Sequence, residues 1–146
     1  MSEKTATREQ PVDVRGPRFA AWVTTVVLAV VLLTQWWWLL AAQLLIFAIG
    51  GFVGLRYSPY SWVFRTLVAP RLSPPTEREP TPPLRFAQSV GFVFAAVGLA
   101  GFLTGLNWLG LVATALALIA ALLNAAFGFC LGCRMYLLLH RISPSH

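Results

Sequence analysis

The chain has 146 residues, 58% of them hydrophobic and only 11% charged, with a net charge of +6. A soluble domain carries about a quarter charged residues, so this surface is made for lipid as well as for a core, and no separate catalytic domain fits. The positive charge flanks apolar segments instead of forming a stripe, which argues against nucleic acid as a partner and for anchoring to anionic lipid.

Two stretches, residues 19–55 and 86–133, contain no Asp, Glu, Lys, Arg or His. They are 37 and 48 residues long. A membrane helix needs about 20 apolar residues, so each stretch has room for two spans. Residues 1–18 precede them as a mixed-charge segment holding Lys4, Arg8, Arg15 and Arg18 beside Glu3, Glu9 and Asp13. This is not a cleavable signal peptide, because the apolar run meets Trp36, Trp37 and Trp38 where a small-residue cleavage pattern would stand.

The first span is expected over residues 19–34 and the second over 37–55. The tight turn falls near Gln35, with neither Gly nor Pro to make it. A single helix would be ~55 Å long at 1.5 Å per residue, far beyond a bilayer core. The three tryptophans fit an interfacial belt at that turn.

Residues 56–85 form a loop with structure of its own. Ser58-Pro59 reads as an N-cap followed by proline at the first helical position. Tyr60, Val63, Phe64, Leu67 and Val68 then recur at helical spacing, with Arg65 and Thr66 off the stripe and Trp62 as an anchor. This predicts a short interfacial helix lying on the membrane. Pro74, Pro75, Pro80, Pro82 and Pro83, with Glu77, Arg78 and Glu79, predict an extended, solvated strap.

The third span is expected over residues 86–106. A turn follows at Gly105-Leu106-Asn107-Trp108-Leu109-Gly110. The fourth span runs from near Leu109 to at least Phe129, with a continuation past Cys133 left open. Residues 134–146 form a tail. All eleven basic residues lie in the N-terminal segment, the middle loop and the tail, and none in the two hairpin turns. By the positive-inside rule those three segments are cytoplasmic. The expectation is therefore an all-α, four-helix bundle of two hairpins, multi-pass in a bacterial inner membrane, with both termini inside. Arg18-Phe19-Ala20 opens one hairpin and Arg85-Phe86-Ala87 the other. This hints at parallel repeats about an axis normal to the membrane. Three matching residues leave duplication and chance equally open.

Cys130-Leu131-Gly132-Cys133 carries the chemistry that the chain offers. On a continuous helix the two thiols share a face, at the cytoplasmic end of span four. That compartment is reducing, so a structural disulfide is not expected. A zinc site needs about four ligands, and only His140 and His146 could join the pair, so no metal is expected. Arg134 favours a thiolate at Cys133 and a helix C-terminus disfavours one; the outcome turns on whether Gly132 breaks the helix. Against a redox role stands plain packing. Gly50 and Gly54, Gly101 and Gly105, and Gly128 and Gly132 have GxxxG spacing for close helix contact. Asn124 reads as a hydrogen bond between helices, and Gln43 and Thr114 are similar buried polar groups. No charge lies at depth, which argues against an ion-driven transporter.

Val12-Asp13-Val14-Arg15-Gly16-Pro17-Arg18-Phe19, Ser58-Pro59-Tyr60, Pro70-Arg71-Leu72, Arg85-Phe86-Ala87-Gln88 and the block from Asn124 to Cys133 together resemble the bacterial membrane family catalogued as domain of unknown function 4395. The resemblance covers residues 12–139 and is most specific at the block that ends in the cysteines. It brings no established activity. It implies thiol or sulfur metabolism by association, since relatives are encoded near thioredoxin-like proteins and sulfurtransferases.

Two functional expectations follow. In the first, Cys130 and Cys133 accept electrons or a persulfide from a soluble thioredoxin-like or sulfurtransferase partner. Quinone-linked four-helix thiol oxidoreductases are an analogy, but their cysteines serve the outer face and a second pair is absent here, so no cofactor is assigned. In the second, the protein is a non-enzymatic scaffold or homo-oligomer joined through its GxxxG faces. A third, weaker expectation is passage of a small neutral or sulfur species through a dimer.

Overall fold

Each long apolar stretch forms helix until a local stop breaks it near its centre. The computed structural model describes residues 12–13, 15–71, 78–79, 81–128 and 130–142. Helix α1 spans Arg15–Thr34 and turns Ala21, Thr24, Leu28 and Val31 inward, at the three-and-four spacing of one helix face. Pro17 sits in the first turn, where its missing N–H costs nothing. The helix stops because Gln35 takes a φ of 57°, a conformation that costs an L-residue about 1–2 kcal/mol. Neighbouring bonds offset this. Gln35 N donates to Val31 O (2.6 Å), Thr34 Oγ1 donates to Val30 O (2.8 Å), and Trp36 N donates to Thr34 Oγ1 (3.3 Å).

Helix α2 spans Trp37–Ala48 and continues as a π-helical turn over Ile49–Val53. It ends at Gly54, whose φ of 153° is open to glycine. A short 3-10 turn, Leu55–Tyr57, leads to α3, Pro59–Val63, with proline in its first turn. The helical path goes on through Phe64–Val68 and Ala69–Arg71. Strands β1 (Val12–Asp13) and β2 (Arg78–Glu79) form a two-residue antiparallel ladder in register Val12↔Glu79. Helix α4 spans Thr81–Thr104, α5 Asn107–Phe127 and α6 Leu131–Ile142.

The helices Arg15–Thr34, Pro82–Thr104 and Asn107–Phe127 are each long and apolar enough to cross a membrane, and Trp37–Val53 is apolar but shorter. α1 packs on α5, α4 on α5 and α2 on α4, with a lighter contact between α1 and α2. The pairs run antiparallel: Gly51 meets Ser89 and Gly98 meets Leu40, while Arg18 reaches Ala125. Leu28, Val31, Leu40, Phe47, Ala95 and Ala117 form the centre. Small residues set the spacing. A Cβ on Gly101 would lie 2.6 Å from Gly110 N, so the α4–α5 hairpin closes backbone to backbone. Outward, Val26, Leu45, Val93, Val112, Leu116 and Ile119 are all exposed.

Three expectations need correction. The third helix starts at Thr81, not Phe86, because Pro82 and Pro83 fit a first turn that needs no N–H; Pro74, Pro75, Glu77 and Pro80 lie outside the described residues. The fourth ends at Phe127 and does not continue through the cysteines; Phe129 too lies outside the described residues. The stripe that begins on α3 is covered by protein over part of its length, so only the remainder is left for a membrane surface. Phe64 is buried against Phe19 (ring centroids 5.9 Å), and Tyr60 Oη donates to Gln43 Oε1 at 2.6 Å. Periodicity shows which face is apolar, and packing decides what covers it. Trp62 and Leu67 do remain exposed.

Candidate functional site: a cysteine pair at a helix start

α5 ends on Gly128, which has φ 68° and ψ 16° and donates its N–H to Asn124 O at 3.0 Å. Glycine reaches this left-handed state without the Cβ penalty. A helix end also leaves its last carbonyls unpaired. Arg18, from the start of α1, supplies a donor: its Nη2 bonds Ala125 O at 2.9 Å. Two residues beyond Gly128 the chain restarts as α6.

Cys130 stands at the N-cap of α6 and Cys133 at its third helical position. Cys133 N donates to Cys130 Sγ at 3.1 Å, and Arg134 N to Cys130 O at 3.0 Å. The sulfur thus does what a Ser or Asp oxygen does at an N-cap. The two cysteines are joined by a disulfide, with Cα atoms 5.2 Å apart, inside the usual range. This corrects two expectations. The pair lies at the positive end of a new helix and not at the negative end of α5, because the break is at Gly128 and not at Gly132. A disulfide, not expected on compartment grounds, is what the geometry holds.

α6 is seated on the start of α4. A Cβ on Gly132 would lie 2.6 Å from Ala87 Cα and Cβ, and Tyr136 meets Phe86 with centroids 5.8 Å apart. Of the other glycines, Gly50 and Gly101 are crowded in the same way, against Gln88 and Gly110. Gly54, Gly105 and Gly128 instead have positive φ and end helices, so their GxxxG spacing reflects turns and not helix faces. For Asn124 the recorded bond is the backbone one to Gly128. The side-chain bond expected there occurs at Gln43, through Tyr60. Thr114 Oγ1 and Gln43 Nε2 are buried without a partner. The His140 side chain and His146 lie outside the described residues.

Sequence reading missed Arg18, Ala87 and Tyr60 as members or neighbours of these contacts. The signal was in the short repeat. Arg18 Nη2 caps α5 at Ala125 O, and Arg85 Nε bonds Gly51 O at the end of α2 (3.3 Å). Phe19 meets Phe64 of α3, and Phe86 meets Tyr136 of α6. Phe64 stands as far beyond the N-cap Ser58 as Tyr136 stands beyond the N-cap Cys130. Matched positions make matched contacts, which favours duplication over chance. Ser58 and Ser61 hold in the first half the places that Cys130 and Cys133 hold in the second.

Comparison with known proteins agrees with the motif reading. The chain matches the family described as Domain of unknown function (DUF4395) over residues 12–141. It belongs to that family. No curated protein and no solved structure matches it. The matched region of this DUF4395 member takes in all six helices as far as Arg141, the cysteine pair and Arg18.

Proposed function

We propose that this DUF4395 member is a four-span membrane protein whose cysteine pair exchanges thiols with a soluble partner at the cytoplasmic face of a bacterial inner membrane. The observation that carries the reading is the disulfide between the N-cap and third position of α6. A helix N-terminus favours negative charge, so the Cys130 thiolate released from a mixed disulfide with a partner is stabilised by the helix field and by the Cys133 N–H. Cys130 is the sulfur that exchanges. A partner dithiol's thiolate attacks Cys130 Sγ, the S–S bond breaks, and Cys133 leaves as a thiolate that takes up a proton. The partner's second thiolate then attacks the mixed disulfide and frees Cys130. The partner ends oxidised by two electrons, and this chain ends as a dithiol.

The membrane reading draws on the apolar outer faces and on charge. Arg15, Arg18, Arg56, Arg65, Arg85 and Arg134 all stand at the end of the helices that carries the cysteines. The opposite turns, at Gln35 and Gly105, are uncharged. By the positive-inside rule the cysteine end is cytoplasmic. Thioredoxin-like proteins supply the dithiol chemistry, and a sulfurtransferase would use the same pair by persulfide transfer. The scaffold reading loses ground, because Gly50, Gly101 and Gly132 are used within the chain.

The test is reduction of the purified protein by a thioredoxin-like dithiol, followed by mass-tagged alkylation. Two tags per chain, with a mixed disulfide trapped when the Cys130 thiolate of Cys133→Ser attacks the same partner in its oxidised, disulfide form, supports exchange. No reduction at partner concentrations that reduce a small-molecule disulfide would refute it.

A further inference from the structure

α6 leaves part of its surface uncovered. Gly132 and Tyr136 face α4. On the adjoining arc, Met135, Leu138 and Leu139 are 45%, 54% and 50% exposed, and Leu131 lies on the same arc by helical spacing. Arg134 and Arg141 border that arc on the side away from α4. The helix therefore has a protein face, an apolar face and a basic edge, with Leu137 (58% exposed) alone beyond that edge. Met135, Leu138 and Leu139 side by side call for an apolar cover.

The route of the chain says what covers the apolar face. α5 is of membrane-crossing length, and only Gly128, Phe129 and Cys130 separate it from α6. α6 consequently begins where α5 leaves the hydrocarbon. There it is held on the start of α4, at Ala87 and Phe86. A helix that starts at the boundary with an apolar face beside a basic edge satisfies both by lying along the interface.

Resting on the membrane reading above, we propose that α6 is an in-plane helix whose Met135–Leu138–Leu139 face is covered by lipid, with Arg134 and Arg141 at the level of anionic headgroups. Apolar burial and basic charge are the two terms that hold such helices at an interface. The consequence concerns the site. Cys130 and Cys133 sit at the waterline, open to a partner that approaches along the membrane surface.

The test uses the full chain with Cys130→Ser and Cys133→Ser, in vesicles of phosphatidylethanolamine and phosphatidylglycerol. Nitroxide labels are placed singly at Leu138→Cys, Arg141→Cys and, as a reference on α1, Val26→Cys. Collisions with oxygen report lipid and collisions with a water-soluble nickel chelate report water. The proposal expects oxygen to dominate at position 138 and nickel at 141, one turn away. Dominant nickel at 138 would overturn it, since α6 would then stand in water. Protection at 138 from both probes would also overturn it, since protein would then cover the face. If position 26 too is reached by nickel, the membrane reading itself fails, and that is distinct from failure at 138 alone.

Discussion

Replacing Gly132 with alanine probes the seat of the cysteine pair. The added Cβ would meet Ala87 Cα and Cβ at 2.6 Å, against about 3.5–4.0 Å for carbon atoms at rest. The shortfall is about 1 Å. Ala87 has no rotamer to yield, and its Cα belongs to the α4 backbone, so α6 must lift. Overpacking of this kind costs ~1–3 kcal/mol, which is about a 5- to 150-fold shift toward the undocked helix at 1.4 kcal/mol per tenfold. Part of the Phe86–Tyr136 contact is lost with it. The assay is the rate at which dithiothreitol reduces the Cys130–Cys133 disulfide in detergent, read by mass-tagged alkylation, beside Tm. Gly132→Ala should be reduced faster by up to that factor. Gly105→Ala is the control: with φ +89° and no atom within 4 Å, it strains the backbone at the far end and should leave the rate alone. An unchanged rate and Tm in Gly132→Ala would refute the packing of α6 described above.

Tyr60→Phe strands Gln43 Oε1 in addition to Nε2 and should cost about 1–3 kcal/mol; adding Gln43→Leu, which removes the orphaned amide, should recover most of it in the same thermal melt. Burial pushes the Tyr60 phenol up to about 12. The folded chain therefore holds that proton after the unfolded chain has lost it, and stability should fall as pH rises from 10 to 12, with a shallower fall in Tyr60→Phe. Gly128→Ala forces a Cβ into a left-handed residue and should lower stability by about 1–2 kcal/mol. Crowding adds little there, as the nearest atom, Arg18 Nη1, would be 3.7 Å away; a melt matching wild type would contradict the turn. In the reduced protein, Cys130 should alkylate at lower pH than Cys133, because only its sulfur accepts the α6 N-terminal bond; mass spectrometry of iodoacetamide adducts against pH decides this, and equal profiles would count against the assignment of Cys130.

Much of this was legible in the chain, for definite physical reasons. Charge-free stretches mark apolar helices, and Gly105 marks its turn because few other residues adopt its φ. The stop at Gln35 could be inferred from length but not from residue type, since Thr34 makes it through side-chain bonds. The break at Gly128 was hidden because glycine serves equally as a close contact and as a left-handed cap. GxxxG spacing does not separate the two, and Gly128 and Gly132, four residues apart, do one each. That ambiguity put the cysteines at the wrong end of a helix and reversed the sign of the field on them. The Arg-Phe-Ala repeat carried more than three residues' worth of information, but only contacts in space reveal that both arginines cap the end of a helix in the other half.

The most direct test of the central claim is the state and sidedness of the two thiols in native membranes. Inside-out and right-side-out vesicles are labelled with a membrane-impermeant mass-tagged maleimide in three states: reduced by a soluble dithiol, oxidised, and oxidised then reduced again. The account predicts two tags per chain in inside-out vesicles, removed by oxidation and restored by reduction, and none from the outer side. Tagging from the outer side alone, or thiols that never change state in either preparation, would contradict it.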